Sequence, residues 1–200
     1  MILIILLTLF IIKSVSAQTI LFPTGMPEHG FLPGKKFQYY PTIHKYDFSA
    51  RKLRVEVYDD RQKLNLTTPH CSDIEFTNSS EFANPGCIYK IGKYIDTLFK
   101  QAGATIDVTS SDTLQVRLEG IDARLIGFGF IRAHGLCQIK MKYHNITKTY
   151  CVDITDADEH SPVNQYAFVT RLTATRIMAS ASIREVIEKF FVDLKIERFD

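Results

Sequence analysis

The chain has 200 residues, with 24 Lys or Arg against 22 Asp or Glu and a formal net charge of +2. This balanced charge, without a basic stripe, argues against a nucleic-acid-binding or polyanion-binding protein. The length fits one domain with its own hydrophobic core.

Residues 1–17 have the pattern of a secretory signal peptide. Met1–Ile12 is almost wholly apolar, and small residues at Val15 and Ala17 precede a cleavage site before Gln18. About a dozen apolar residues are too few for a transmembrane helix, which needs about 20. We therefore expect Sec-type export to the periplasm or out of the cell, with no transmembrane segment once the signal is removed. A retained anchor is the alternative, because positively charged residues are missing before the apolar run.

Residues 18–52 are expected to form an extended N-terminal arm on a domain that spans 53–200. Prolines and glycines interrupt the arm too often for a helix. Lys36–Tyr40 is expected to make a short edge strand within it. A structural wrap is favoured over a binding tail.

The domain begins with Leu53–Tyr58, whose alternation of apolar and polar residues predicts a strand. Gln62–Gly86 follows as a polar loop, much longer than the usual connection of about 4–6 residues. Its acidic residues Asp73, Glu75 and Glu81 match no calcium-loop pattern. A loop of this length therefore requires a covalent staple or a function.

Apolar residues recur at helical spacing over Ile88–Ala102, and Gly103 lies where a helix would end. Leu114–Leu118 alternates again and predicts a strand. The Gly-Phe-Gly-Phe run at 127–130 lacks the helix that follows the glycines of a dinucleotide site. A bulge in the sheet is the favoured interpretation of these glycines.

A polar turn at His144 and Asn145 separates two alternating runs within Gly135–Asp153, which is the pattern of a β-hairpin. A turn centred there is expected to place Cys137 directly opposite Cys151. Cα atoms of such a pair lie about 4.5–5.5 Å apart, as a cross-strand disulfide requires.

Four cysteines follow the signal, an even number that indicates two disulfides in an exported chain. The hairpin pairs Cys137 with Cys151 and leaves Cys71 for Cys87, a bond that would staple the long loop. Disulfides imply an oxidising compartment. A zinc site is the alternative, but the chain has no C-x-x-C spacing or paired histidines. We therefore expect no metal or other cofactor.

Asp153–His160 holds four carboxylates beside a histidine, as a metal site or an acid–base pair would. The favoured interpretation is structural: Ser161 caps the last helix, Pro162 begins it, and its dipole favours acidic residues nearby. Val163–Leu194 carries a helical apolar stripe. The small residues Ala179–Ser182 within it indicate either close packing or a break.

The order of these elements resembles the YajG-like family of bacterial envelope lipoproteins over roughly Leu53–Leu194. The shared features are a D-x-R-like turn at Asp59–Arg61, a helix ending in Ala102-Gly103, the L-x-V-x-L strand Leu114–Leu118, a long hairpin and a final amphipathic helix. The chain departs from the family in lacking a lipid-acceptor cysteine before Gln18. The resemblance implies no enzymatic activity and a role as an adaptor or accessory subunit.

We therefore expect an α+β fold, with a single antiparallel β-sheet and two amphipathic helices packed on one face. The expected function is that of an exported, non-catalytic envelope protein that binds an envelope or extracellular protein. The alternatives are a secreted hydrolase with a site assembled by the fold, or a secreted effector acting on a host. No catalytic motif is present, so no catalytic residue is assigned. The expected partner surface comprises Phe128, Phe130, Lys140, Lys142 and His144.

Overall fold

The computed structural model describes residues 45–76, 86–127, 132–155 and 171–199. Within them the elements are β1 (Lys45–Asp47), β2 (Lys52–Asp59), α1 (Arg61–Leu64), α2 (Gly86–Gln101), β3 (Thr105–Ile106), β4 (Thr113–Ile126), β5 (Arg132–Tyr143), β6 (Ile146–Thr155), α3 (Arg171–Asp193) and β7 (Glu197–Phe199). The predictions for the signal segment, for most of the arm, for Phe128 and Phe130, and for residues 156–170 lie outside the described residues.

In the described ranges, five strands form a mixed sheet in the order β3-β2-β4-β5-β6. Strands β4, β5 and β6 are antiparallel neighbours, whereas β2 runs parallel to both β3 and β4. The predicted wholly antiparallel sheet is therefore wrong at β2. In the chain, helix α2 comes after β2 and before β3 and β4, the two strands parallel to β2. Parallel strands require a crossover connection of this kind. The predicted α+β class is confirmed.

Helix α2 forms where the apolar spacing predicts it and ends as predicted. Ile91, Ile95 and Leu98 are fully buried, because they lie on the stripe that faces the sheet. Gly103 follows the helix with φ +82°, a left-handed conformation that glycine adopts without strain. The predicted boundaries are correct to within two residues.

Helix α3 runs unbroken through Ala179–Ser182, and all four of these residues are buried. Of the two interpretations of this small-residue segment, close packing is the correct one. The backbone of Met178 lies directly over Gly135 of β5. The Tyr94 hydroxyl of α2 donates to the Ser180 carbonyl at 3.2 Å, so the two helices also contact each other on one face of the sheet.

Aromatic rings join the helices to the short β1–β7 ribbon. Phe191 of α3 makes edge-on contacts with Tyr46, Phe48 and Phe99, with ring centroids 4.9–5.2 Å apart. Edge-to-face contacts at this distance are favourable beyond the apolar area that they bury. The described end of the predicted arm thus contributes strand β1, which pairs with β7. It also contributes the rings of Tyr46 and Phe48 to the core.

The two faces of the sheet differ in polarity because side chains alternate along each strand. Apolar side chains of β4 and β5 face the helices and are buried. The opposite face, called here the outward face, carries polar and charged side chains. They are Arg54, Glu56, Tyr58, Gln115, Arg117, Gln138, Lys140, Lys142, Thr147, Thr149, Cys151 and Asp153.

Candidate partner-binding surface

The hairpin of β5 and β6 sets the position of the predicted surface residues. A two-residue turn at His144 and Asn145 pairs Tyr143 with Ile146. Lys140 and Lys142 are exposed and lie on the outward face, as the alternation predicts. His144 lies in the turn itself, with φ 48°, and is also exposed.

The turn is tied to the neighbouring end of the sheet through Asp112. The Tyr143 hydroxyl donates to Asp112 at 2.7 Å, and Nε2 of His144 lies 2.8 Å from the other oxygen of the same carboxylate. Burial, followed by the bond to Asp112, raises the pKa of Tyr143 to about 12. His144 thus has a structural partner at the tip of the hairpin, whereas the two lysines belong to the outward face.

The predicted disulfide pairing is wrong, because Cys71 is bonded to Cys151 across 80 residues of sequence. The turn lies where it was predicted, but a two-residue turn at His144 and Asn145 pairs residues whose numbers sum to 289, one more than a Cys137–Cys151 pair requires. Cys137 therefore lies opposite Val152, and Cys151 lies opposite Gln138. Cys137 and Cys151 consequently point to opposite faces of the sheet, where no bond between them is possible.

The other two cysteines are buried thiols. Cys87 lies in the first turn of α2, and Cys137 faces the helices. Burial raises the pKa of the Cys137 thiol, which keeps it protonated and unreactive.

The disulfide holds the segment Asn65–Phe76, called here the clamp, against the outward face. The clamp also forms polar contacts with the sheet: the His70 amide donates to Oε1 of Gln138 at 2.8 Å, and the Ser72 hydroxyl donates to Asp153 at 2.6 Å. Gln138 is fully buried beneath it. A covalent bond and two hydrogen bonds therefore fix this segment of the predicted long loop.

The far end of the clamp rests on a glycine. The ring of Phe76 lies so close to Gly120 of β4 that a Cβ atom there would collide with it. Beside this contact, a bulge between Leu118 and Gly120 interrupts the β4–β5 register. Sequence reasoning missed Phe76 and Gly120, because the predicted strand ended at Leu118, whereas β4 continues to Ile126. A glycine inside a strand is a known signal of close approach.

The clamp leaves the hairpin end of the outward face uncovered. Here Arg117 pairs with Asp60 at 3.0 Å, and its guanidinium lies 4.7 Å from the ring centroid of Tyr58. Arg54 pairs with Glu56. Lys140 and Lys142 are exposed at this end of the face, and neither has an ion-pair partner among the residues that the structure describes.

Ser72 of the clamp forms a polar cluster with His134 and Asp153, and these are the residue types of a hydrolase triad. Nδ1 of His134 lies 3.0 Å from one oxygen of Asp153, whose other oxygen accepts the Ser72 hydroxyl. A nucleophilic triad requires the serine to bond to the histidine. Here the serine bonds to the acid instead, so this cluster does not have the geometry of a triad.

Among the residues that the structure describes, no three His, Cys, Asp or Glu side chains converge as a metal site would require. Within the same residues, none of the helices is long and apolar enough to cross a lipid bilayer.

Neither a protein-family model nor a curated protein matches the sequence significantly. Among solved structures, the chain is similar to protein XCC0632 from Xanthomonas campestris, of family DUF330, with 10% identity over 77% of this chain and 88% of that one and a TM-score of 0.42. It is also similar to a minor lipoprotein from Acinetobacter baumannii, with 10% identity over 76% and 97% of the two chains and a TM-score of 0.37. Likenesses this distant carry no argument about function.

Proposed function

We propose that this chain is an exported, non-catalytic envelope protein that acts as an adaptor or accessory subunit by binding another protein. The observation that carries the proposal is the pair of exposed lysines on the uncovered part of the outward face. Lys140 and Lys142 lie two residues apart on one strand, so their Cα atoms are about 7 Å apart. Complementary charge on a partner would fit this pair.

The disulfide supports export. Bonds of this kind persist in oxidising compartments and are rare in the cytosol. Its two cysteines stand 80 residues apart in the chain and hold the clamp on the sheet. Periplasmic or extracellular location and removal of residues 1–17 as a signal are part of the proposal.

Membership of the YajG-like family is also part of the proposal. It rests on the D-x-R-like turn at Asp59–Arg61, the helix end at Ala102-Gly103 and the strand motif at Leu114–Leu118. Asp59 ends β2 and Arg61 begins α1, Ala102-Gly103 come directly after α2, and Leu114–Leu118 lies within β4. This placement is what supports the proposed membership.

Capture of a partner from the envelope fraction of the source organism tests this function. The full chain would be used as bait beside a variant in which Lys140 and Lys142 are both replaced by Glu. The double variant Lys93→Glu and Lys100→Glu is the matched control, because it makes the same charge change on exposed positions of α2. We expect one protein to be recovered by the wild type and by the control but lost with the hairpin variant.

Equal recovery by all three baits would overturn the assignment of the surface. Repeated recovery of no protein by the wild type would overturn the adaptor function itself. Circular dichroism of each variant establishes that a loss of binding does not come from a loss of fold.

A further inference from the structure

Among the residues that the structure describes, β6 is the outermost strand of the sheet on the side of the exposed lysines, and part of its outer edge has no partner strand. In a two-residue hairpin the residues flanking the turn exchange hydrogen bonds, and bonded and non-bonded pairs then alternate along the strands. Tyr143 and Ile146 are the flanking pair. The amides and carbonyls of Thr147, Thr149 and Cys151 therefore point away from β5.

One of these outward backbone groups, the carbonyl of Cys151, already has a hydrogen-bond partner. The carbonyl of Cys151 accepts a hydrogen bond from Nζ of Lys189 on α3 at 3.3 Å, which agrees with its outward direction. The outward groups of Thr147 and Thr149 form no hydrogen bond within the part of the chain that the structure describes. Unpaired amides and carbonyls at a sheet edge are a template for another strand.

The unpaired edge and the unpaired lysines adjoin each other. Lys142 lies opposite Thr147, and Lys140 lies opposite Thr149. All four side chains are on the outward face, and the threonines are small. A strand added beside β6 would lie about 4.8 Å further out. Lysine side chains that lean over the threonines would reach the side chains of that strand on the same face.

We propose that the partner supplies an extended acidic segment that adds to β6 as a sixth strand of the sheet. Its backbone bonds to Thr147 and Thr149, and two of its carboxylates, two residues apart, pair with Lys140 and Lys142. This inference rests on the proposed adaptor function and specifies what the adaptor binds. Main-chain bonds supply affinity, and the alternate acidic side chains supply specificity.

A second copy of this chain is a poorer occupant of the same edge. Its own β6 would bring Thr147 and Thr149 to the outward face beside Lys140 and Lys142. The lysines would then meet threonines and no carboxylates. Charge complementarity therefore favours an acidic partner over self-association.

The test is a fluorescence-anisotropy titration of the full oxidised chain with an end-blocked eight-residue peptide in which Glu and Thr alternate. We expect binding that weakens about tenfold when the peptide carries Gln in place of Glu, since a tenfold change is about 1.4 kcal/mol and two exposed ion pairs supply that much. The double variant Lys140→Gln and Lys142→Gln is expected to reproduce this loss with the Glu peptide. Absence of binding by the Glu peptide at millimolar concentration would overturn the proposal.

The backbone contribution is tested separately at Thr149. Thr149→Pro removes an outward amide N–H that does not bond to β5, a change that edge strands tolerate. Thr149→Val also removes the hydroxyl but keeps the amide, so it is the matched control. We expect at least a tenfold loss of peptide affinity with Pro and less than about threefold with Val. Equal affinity of the two variants, with disulfide and circular dichroism unchanged, would exclude strand addition.

The same variants separate the two proposals. Capture of an envelope protein that depends on Lys140 and Lys142 but not on the Thr149 amide would leave the adaptor function standing and refute strand addition. Capture that depends on neither would refute both.

Discussion

Gly135 of β5 and Met178 of α3 are in direct backbone contact, because a Cβ atom built on Gly135 would overlap the Met178 carbonyl group. Helix α3 thus approaches the sheet as closely as a residue without a side chain allows. This contact sets the depth at which the buried segment Ala179–Ser182 packs on β5 and β6.

Replacing Gly135 by Ala is expected to lower the free energy of unfolding by about 1–3 kcal/mol, since a rigid backbone rather than a flexible side chain must move. Urea unfolding followed by circular dichroism measures the loss. Gly92→Ala in α2 is the matched control, because its Cβ would lie at an ordinary 3.6 Å from Val57. Alanine also favours a helix over glycine by about 1 kcal/mol, so the control should be neutral or stabilising. An equal loss in both variants would contradict the close contact.

Phe191→Ala is expected to lower the free energy of unfolding by about 3–5 kcal/mol, because it removes a fully buried ring that makes edge-on contacts with three other rings. Val192 is the next residue of the same helix and is 61% exposed. Val192→Ala should therefore change the free energy of unfolding by less than about 0.5 kcal/mol. Chemical denaturation of the two variants makes the comparison, and a small loss at Phe191 would place the ring outside the core.

Removing the disulfide by the double change Cys71→Ser and Cys151→Ser is expected to lower the free energy of unfolding by about 4 kcal/mol, since the bond closes a long loop. Peptide mapping without reductant should recover Cys71 linked to Cys151. Cys87 and Cys137 should react with an alkylating reagent only after unfolding, because both are fully buried. Recovery of a peptide that links Cys71 to Cys87 would contradict the covalent attachment of the clamp to β6.

Asp193 is expected to contribute to stability at neutral pH and to lose that contribution in acid. Lys148 and Tyr150 each donate to the same carboxylate oxygen at 2.7 Å. The bond from Lys148, followed by that from Tyr150, lowers the pKa of Asp193 in the folded chain. A lowered folded pKa means that the stabilisation is complete above the unfolded pKa of about 3.9 and disappears as the pH falls through the folded value.

Asp193→Asn should consequently lose less stability than the wild type when urea unfolding at pH 6 is compared with unfolding at pH 3. Other carboxylates with lowered pKa values, such as Asp59 and Asp60, remain in both proteins and cancel in the comparison. Identical losses in the two proteins would show that Asp193 does not bind Lys148 and Tyr150 in solution.

The periodicity of apolar residues correctly predicted the features that depend on residues close together in the sequence. The helical spacing of Ile91, Ile95 and Leu98 predicted α2 and its buried face, and alternation placed Lys140 and Lys142 on the outward face. Both patterns follow from the geometry of a single helix or strand, and that geometry determines the spacing of apolar residues in the sequence.

Relationships between distant elements were not predictable in this way. Alternation in β2 indicates a strand but contains no information on its direction, so the parallel pairing with β4 was missed. The disulfide prediction depended on hairpin register, where an error of one residue turns a side chain to the other face. The correct partner of Cys151 lies in a loop that returns to the sheet from 80 positions earlier.

The separation of the two bonded cysteines has a consequence for how the chain must be oxidised during biogenesis. In an unfolded chain, Cys71 meets the nearby Cys87 more readily than the distant Cys151, because closing a short loop costs less entropy. During synthesis, the Cys71 and Cys87 thiols can therefore pair before Cys151 of strand β6 has emerged. When such a bond has formed, the Cys151 thiolate attacks the Cys71 sulfur, forms the Cys71–Cys151 bond and releases the Cys87 thiolate. Export to a compartment with disulfide isomerase activity would give this protein a higher yield than simple air oxidation.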